Sequence, residues 1–460
     1  MSEAPQTDKA TTLTPTRDIA NWAATLPDDQ IDALSMRWAR HCLLDWCAVT
    51  IAARDEDLVR ILVEEALADG AEGRVPIAGH TYSVTPSWAA LVNGAASHAL
   101  DYDDVNTAMF GHPTVPVMPA VLVAGASAGQ SIDQVLRAFA VGYEVCCLVG
   151  QMSGPGHYHA GWHATATMGC FGAAAGTARL MGLDAGQTAQ ALGSAVTMAA
   201  GLKSMFGTMC KPLHAGRAAQ SGYLAARMAS RGWVSRDDAL ECAQGFWATQ
   251  GPGAEPFDVA RQDNQPLQIQ NNLFKYHAAC YMTHSTIEAC RDIAATHAPA
   301  PDQIAKVRVR VPEPALNICN IPDPETGLEV KFSLRHTAAM ALSGIDTASI
   351  EIYSDATAQN PVLVALRQTV QVEPKQQKTT MDTDAEVIVE TRDGTAFTNV
   401  FDVGVPAKDA DLQEKRLGAK FDALVVPILG AAKAETLKSM ILSGESGPLE
   451  VLRACQFPTD

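Results

Sequence analysis

Ala and Gly recur through the first half of this chain in a way that suits closely packed helices. Gly172-Ala-Ala-Ala-Gly176 and Gly193-Ser-Ala-Val-Thr-Met-Ala-Ala-Gly201 are the densest runs. Small side chains let neighbouring helix axes approach. Behind Asp28-Asp29, which reads as a helix start, Ile31, Leu34, Trp38, Cys42 and Leu43 recur at near-helical spacing. Further helices are expected from about Glu56, Ser87, Ser131, Ala164, Asp184 and Gly216. The stretch from about Asp18 to Trp233 therefore reads as an all-α assembly and not as a parallel α/β sheet.

The pattern changes near Asn271. Val307, Val309 and Val311 alternate with Lys306, Arg308 and Arg310, as in a strand with one buried face. Ala385–Thr391 and Ala396–Val403 read as two more strands, with Asp393-Gly394 as the hairpin turn between them. Helices are expected near Ser285–His297, Ser333–Ser343 and Ser354–Val370. Helical pattern returns at Ala419–Gly430, Ala432–Leu442 and Leu449–Cys455, a tail too short for a core of its own. The expected fold is mainly α with a smaller α+β part. Residues 1–17 form a floppy tail, 18–270 and 408–460 a discontinuous all-helical domain, and 271–407 an α+β domain.

Composition excludes some functions. The formal net charge of −17 argues against nucleic acid or an anionic membrane as partner. A small anion remains acceptable, because a local basic pocket outweighs distant charge screened by salt. The 11 cysteines are odd in number and include no Cys-x-x-Cys pair, which suits reduced thiols in a cytoplasmic protein. No run reaches 18 apolar residues, so no membrane span is expected.

Five segments carry chemistry. Gly207-Thr-Met-Cys-Lys-Pro-Leu-His-Ala-Gly-Arg217 gathers Lys211, His214 and Arg217 in a Gly-punctuated stretch, which reads as a basic loop for a small anion. Ser97-His-Ala-Leu-Asp-Tyr-Asp-Asp104 sets Asp101, Asp103 and Asp104 together at a helix end, followed by His112-Pro113. Three such carboxylates repel, so a metal, a basic cluster or water must offset them. Gly156-His-Tyr-His-Ala-Gly-Trp-His163 lacks the spacing of a helical metal site, and its His163 stands at the start of a Gly/Ala-rich helix. Phe274-Lys275-Tyr276-His277-Ala-Ala-Cys280 falls at the domain boundary, and Lys331-Phe-Ser-Leu-Arg-His336 follows. No Ser-centred elbow, phosphate loop or dinucleotide fingerprint is present.

Taken in order, these segments resemble the MmgE/PrpD family, which includes 2-methylcitrate dehydratase, cis-aconitate decarboxylase and iminodisuccinate epimerase. The matching residues are His98–Asp104, Gly111–Pro113, Gly161–His163, Gly207–Ala219, Phe274-Lys275 with Ala279-Cys280, and Lys331–Leu334. The resemblance implies a homodimer with the active site between the two domains, working without metal or organic cofactor. It carries the family's pocket positions onto Asp101, His112, His163, Lys211 and Lys275. Cys280 and His336 stand where characterised members carry His and Tyr, and His277 where the family often has Tyr or Phe.

Family substrates are small di- or tricarboxylates that gain or lose a proton beside a carboxylate or imine. Such chemistry needs a base and cations that stabilise an enediolate-like state. Lys211, Lys275, Arg217 and Lys203 are the candidate carboxylate holders, with His214, Cys280 and His336 as further binding residues. His163 or Lys211 is the candidate base, Asp101 tunes a nearby cation, and His112 is the partner acid. The resemblance thus implies a lyase, either dehydratase or decarboxylase. An epimerase with the same pocket and a non-catalytic relative are the alternatives.

Overall fold

The computed structural model describes residues 13–262, 265–376 and 382–457. Most of the expected N-terminal tail lies outside these residues. Its last part is ordered: a helix runs from Pro15 to Thr25, and the Thr16 backbone N–H and hydroxyl both donate to Glu241.

The helical part is built as the Ala/Gly pattern predicts. The helices Pro86–Ala99, Ala164–Leu180 and Cys210–Ala229 pack tightly on one another. Gly216 shows why small residues are needed: a Cβ there would lie 2.2 Å from the Leu91 carbonyl oxygen. The helix expected at Asp28-Asp29 is only a short 3-10 turn, Asp28–Gln30. The real start is Ala33, because the Asp32 carboxylate caps it through the Ser35 N–H at 2.6 Å. A helix Thr114–Ala128, hidden in sequence by Pro116 and Pro119, runs through the core. Helix Ile132–His159 is long and apolar enough to cross a membrane by composition, but 89% of its apolar window is buried inside the protein.

A small hairpin, β1 (Glu72–Pro76) with β2 (Ser83–Val84), lies in the helical part. The second part holds a four-stranded sheet of β3 (Ile304–Val311), β4 (Val370–Pro374), β5 (Ala385–Thr391) and β6 (Ala396–Phe401), in the order β4-β3-β5-β6. The alternation in β3 works as expected, with Val307, Val309 and Val311 buried. The segment expected as one helix, Ser354–Val370, is instead broken. Asn360 caps a second helix beginning at Pro361, and the chain then enters β4, which pairs parallel with β3. Helices Tyr281–His297 and Leu334–Leu342 pack beside this sheet.

The C-terminal helices return to the helical part. Ala410–Leu429 packs along Ala33–Ala52, and Pro448–Ala454 packs against Thr114–Ala128. One buried side chain fixes this return. Lys420 Nζ lies 2.5 Å from Asp45 Oδ1 and donates to the Tyr102 carbonyl oxygen at 2.8 Å.

Candidate active site

Helix Pro86–Ala99 ends just before Asp101, whose φ of 49° turns the chain sharply. Asp is among the few side chains that tolerate this left-handed conformation. The turn sends the three neighbouring carboxylates to three different sets of partners. Asp101 Oδ1 takes Lys211 Nζ at 2.6 Å and Lys275 Nζ at 3.3 Å. Asp103 lies between two imidazoles, with His98 Nδ1 at 2.9 Å and His112 Nδ1 at 2.9 Å. Asp104 accepts from the Thr114 hydroxyl and from Asn272 Nδ2, the latter at 2.7 Å. Of the offsets the sequence required, the protein supplies a basic cluster and neutral donors.

These partners divide the acids electrostatically. The surrounding protein raises the Asp101 carboxyl even though its side chain stays half exposed, but Lys275 and Lys211 outweigh this and hold the group well below the usual range. Burial likewise opposes Asp103, and His98 and His112 bring it well down. Asp104 has only neutral donors, so burial wins and its carboxyl is pushed up.

The two lysines arrive from distant elements. Lys211 lies in the first turn of helix Cys210–Ala229. The expected basic loop is therefore a helix start, and Pro212 is compatible with it because first-turn residues lack intrahelical acceptors. Gly216 serves helix packing and not anion approach. Lys275 follows an antiparallel bridge between Val105 and Leu273 that ties its segment to the acidic turn. Its ammonium is buried, donating at 2.5 Å to the Asp101 carbonyl oxygen. Asp101 is half exposed, so the pair of ammonium groups converges on a carboxylate that faces solvent.

Two further histidines, His163 and His214, complete the cluster. His163 stands at the N-terminal boundary of helix Ala164–Leu180 without capping it through its side chain, and its backbone N–H donates to Gly201 O at 2.9 Å. Its Nδ1 is 3.0 Å from His214 Nδ1, so one of the two carries the shared proton. Its ring stacks on His98 with centroids 5.8 Å apart and meets Phe206 edge-on. Burial, then His98, His112 and Lys211, hold His163 far below its ordinary value. That keeps the imidazole neutral and makes it a weak proton acceptor in the protein alone. Burial also lowers His98, to about 4 despite Asp103.

The remaining sequence candidates fall into two groups. Cys280 caps helix Tyr281–His297, close enough to Lys275 and Asp101 for both to act on its thiol. Arg217, Lys203 and His336 have no described contact with the carboxylate cluster. Arg217 turns to Gln220 on its own helix. Lys203 lies over the Tyr158 ring, 3.6 Å from its centroid, and donates to Tyr158 O. His336 is buried beside Arg367, with Nδ1 3.4 Å from the guanidinium. His277 is likewise internal, bonded to Thr347 and Glu288.

The sequence singled out Asp103 among the clustered acids and His98 among the matching residues but gave neither a role in the site. Their signal was their place beside Asp101, at the end of the same helix. The donor atoms of His98, Asp101, Asp103 and His112 all lie within 4.8 Å of one another, a set that could hold a metal ion. Two ammonium groups on Asp101 oppose a dication there. In the three-histidine segment, His157 bonds instead to Gln250 O and the Thr167 hydroxyl, both at 2.7 Å.

The chain is similar to known proteins along most of its sequence. Residues 17–256 match the MmgE/PrpD N-terminal domain and residues 277–445 the MmgE/PrpD C-terminal domain. Cis-aconitate decarboxylase of Mus musculus is 27% identical over 398 residues, 82% of this chain and 78% of that protein. The Homo sapiens enzyme of the same name is 27% identical over 390 residues, 81% of this chain and 79% of that protein. The one from Aspergillus terreus is 28% identical over 292 residues, and the match spans 60% of each protein. With both of its domains matched in order along most of the sequence, the chain belongs to the MmgE/PrpD family.

Proposed function

We propose that this protein is a lyase that acts on a small di- or tricarboxylate by proton transfer at a carbon next to a carboxylate. Decarboxylation of a cis-aconitate-like substrate is the specific form, supported by the names of the relatives. The carrying observation is the convergence of Lys211 and Lys275 on half-exposed Asp101. Lys211 is partly exposed beside that solvent-facing carboxylate, so its ammonium can be shared with a substrate carboxylate.

His112 is the proton carrier in this reading. The 2.9 Å contact with Asp103 favours a proton on Nδ1 and orients the ring, as carboxylate–imidazole pairs do elsewhere. His112 Nε2 then points toward the cluster, 3.8 Å from Asp101 Oδ1. In decarboxylation the C–C bond to the departing carboxylate breaks and CO2 leaves. The electron pair stays on the carbon skeleton and takes the Nε2 proton of doubly protonated His112, which is left neutral with its remaining proton on Nδ1 beside Asp103. His163, kept neutral by its surroundings, serves as a hydrogen-bond partner for the developing charge. Assembly as a homodimer belongs to the same proposal and is tested by sedimentation.

The test is proton NMR in D2O with 2-methylcitrate, citrate, cis-aconitate and iminodisuccinate, with Lys211→Ala as control. New vinyl signals with release of CO2 from cis-aconitate support the decarboxylase. A new alkene from citrate or 2-methylcitrate makes the protein a dehydratase. Deuterium entry with inversion and no new alkene makes it an epimerase and overturns the lyase reading.

A further inference from the structure

We propose that Cys280 and Cys319 form a peroxide-sensitive dithiol at the edge of the candidate active site, closing to an intrachain disulfide on oxidation. Both cysteines are anchored to one short segment. The Cys280 N–H donates to Lys331 O at 3.0 Å, and Cys319 O accepts from the Leu334 N–H at 2.8 Å. This shared anchor sets the two cysteines side by side, close enough for each thiol to act on the other. Their exposures differ usefully: Cys280 is partly exposed beside Lys275 and Asp101, whereas Cys319 is fully buried behind it.

The surroundings favour Cys280 as the reacting sulfur. Its thiol is drawn down to about 7, first by the hydrogen bond from Cys319, then, against burial, by the Met282 N–H and Lys275. The same contact and burial push Cys319 far up, so it stays a thiol and donates its proton. The thiolate form is the nucleophile toward peroxides.

Oxidation proceeds in two balanced steps. The Cys280 thiolate attacks one oxygen of a hydroperoxide; an S–O bond forms, the O–O bond breaks, and the leaving oxygen departs as water or alcohol after protonation. The Cys319 sulfur then attacks Cys280; an S–S bond forms, the S–O bond breaks, and water leaves with the Cys319 proton. The peroxide gains two electrons and the two thiols lose them. Closing the bridge draws the Cys280 sulfur away from Lys275 toward the protein interior.

The experiment is non-reducing peptide mapping of the full-length protein after graded hydrogen peroxide. Cys210 and Cys242, the other two cysteines that are not fully buried, are internal controls. The expected result is a single 280–319 crosslink, formed before Cys210 or Cys242 is oxidised and removed by dithiothreitol. Prior alkylation of Cys280 with iodoacetamide should abolish it. In Cys319→Ser, dimedone should trap Cys280 as the sulfenic acid, and no crosslink should form. Conversion of Cys280 to sulfinic acid with Cys319 unchanged overturns the proposal, as does oxidation of Cys210 and Cys242 without the crosslink. If Cys319→Ser does not fold, the wild-type and alkylation arms still decide. The readout is the thiols themselves, so it stands or falls independently of the reaction proposed above.

Discussion

Replacing Lys211 with methionine removes one of the two cations on Asp101 while keeping most of the side chain's volume. Coulomb attraction across the 2.6 Å contact is about 6 kcal/mol at an effective dielectric constant near 20. Asp101 is half exposed, so solvent screening leaves about 1 kcal/mol or less of that in the resting protein. Lys211 matters more where charge develops: removing one group that stabilises transition-state charge usually costs about 2.7–4 kcal/mol. The expected loss in kcat/KM is therefore about 100-fold to 1000-fold. The fold should survive, because Asp101 keeps Lys275 at 3.3 Å and Lys211 is not part of the core. The assay is CO2 release from cis-aconitate, paired with thermal unfolding of both proteins. A variant that unfolds normally and retains kcat/KM within threefold of wild type would falsify the assignment of Lys211 as a carboxylate clamp.

Other expectations follow from the same geometry. Asp103→Asn should lower kcat by roughly 100-fold or more by releasing the His112 ring, with a shifted pH–rate profile; an unchanged profile removes Asp103 from that role. Stability should fall in mild acid. His98 is held near 4, below its unfolded value of about 6.5, so between those values the unfolded chain binds a proton the folded protein excludes. Its contribution, on the order of 3 kcal/mol, is complete above about pH 6.5 and lost as pH falls toward 4. The depressed Asp103 and Asp101 carboxyls extend the loss below about pH 4. Denaturant titrations that show flat stability from pH 7 to 4 contradict this. Gly216→Ala should destabilise the protein by roughly 1–3 kcal/mol, because the new methyl meets the Leu91 carbonyl; a Tm at or above wild type would show that the helices part easily. Dialysis against EDTA should leave turnover unchanged, since two ammonium groups already occupy the Asp101 side of the donor set.

Local signals were legible where one residue type controls its neighbours. Val307, Val309 and Val311 alternate because one face of β3 is buried, and Asp393-Gly394 is a turn whatever surrounds it. Strand β4 was not legible: it is short, ends at Pro374 and directly follows a helix. The first turns of Ala410–Leu429 are rich in Asp, Glu, Lys and Arg and give no apolar stripe, so that helix was read as starting at Ala419. Within the site, the residue types were visible but the pairings were not. Asp101 meets lysines 110 and 174 residues away, and only the folded chain decides that Asp103 goes to the imidazoles and Asp104 to neutral donors. Lys203, Arg217 and His336 were chosen for charge or alignment, yet each is taken up by a nearer partner.

The long reach of Lys420 also orders events during synthesis. It ties Asp45 and the Tyr102 carbonyl, the latter 318 residues earlier in the chain, into one buried contact beside the acidic turn. At about 5–20 residues per second, tens of seconds separate the appearance of these partners on the ribosome. In the folded protein burial raises the Asp45 carboxyl to about 7 even with its lysine in place, and Lys420 is among the last residues to be made. The corner that carries Asp101 and Asp103 is thus completed late, when the helix Ala410–Leu429 docks, although its own residues are among the first made.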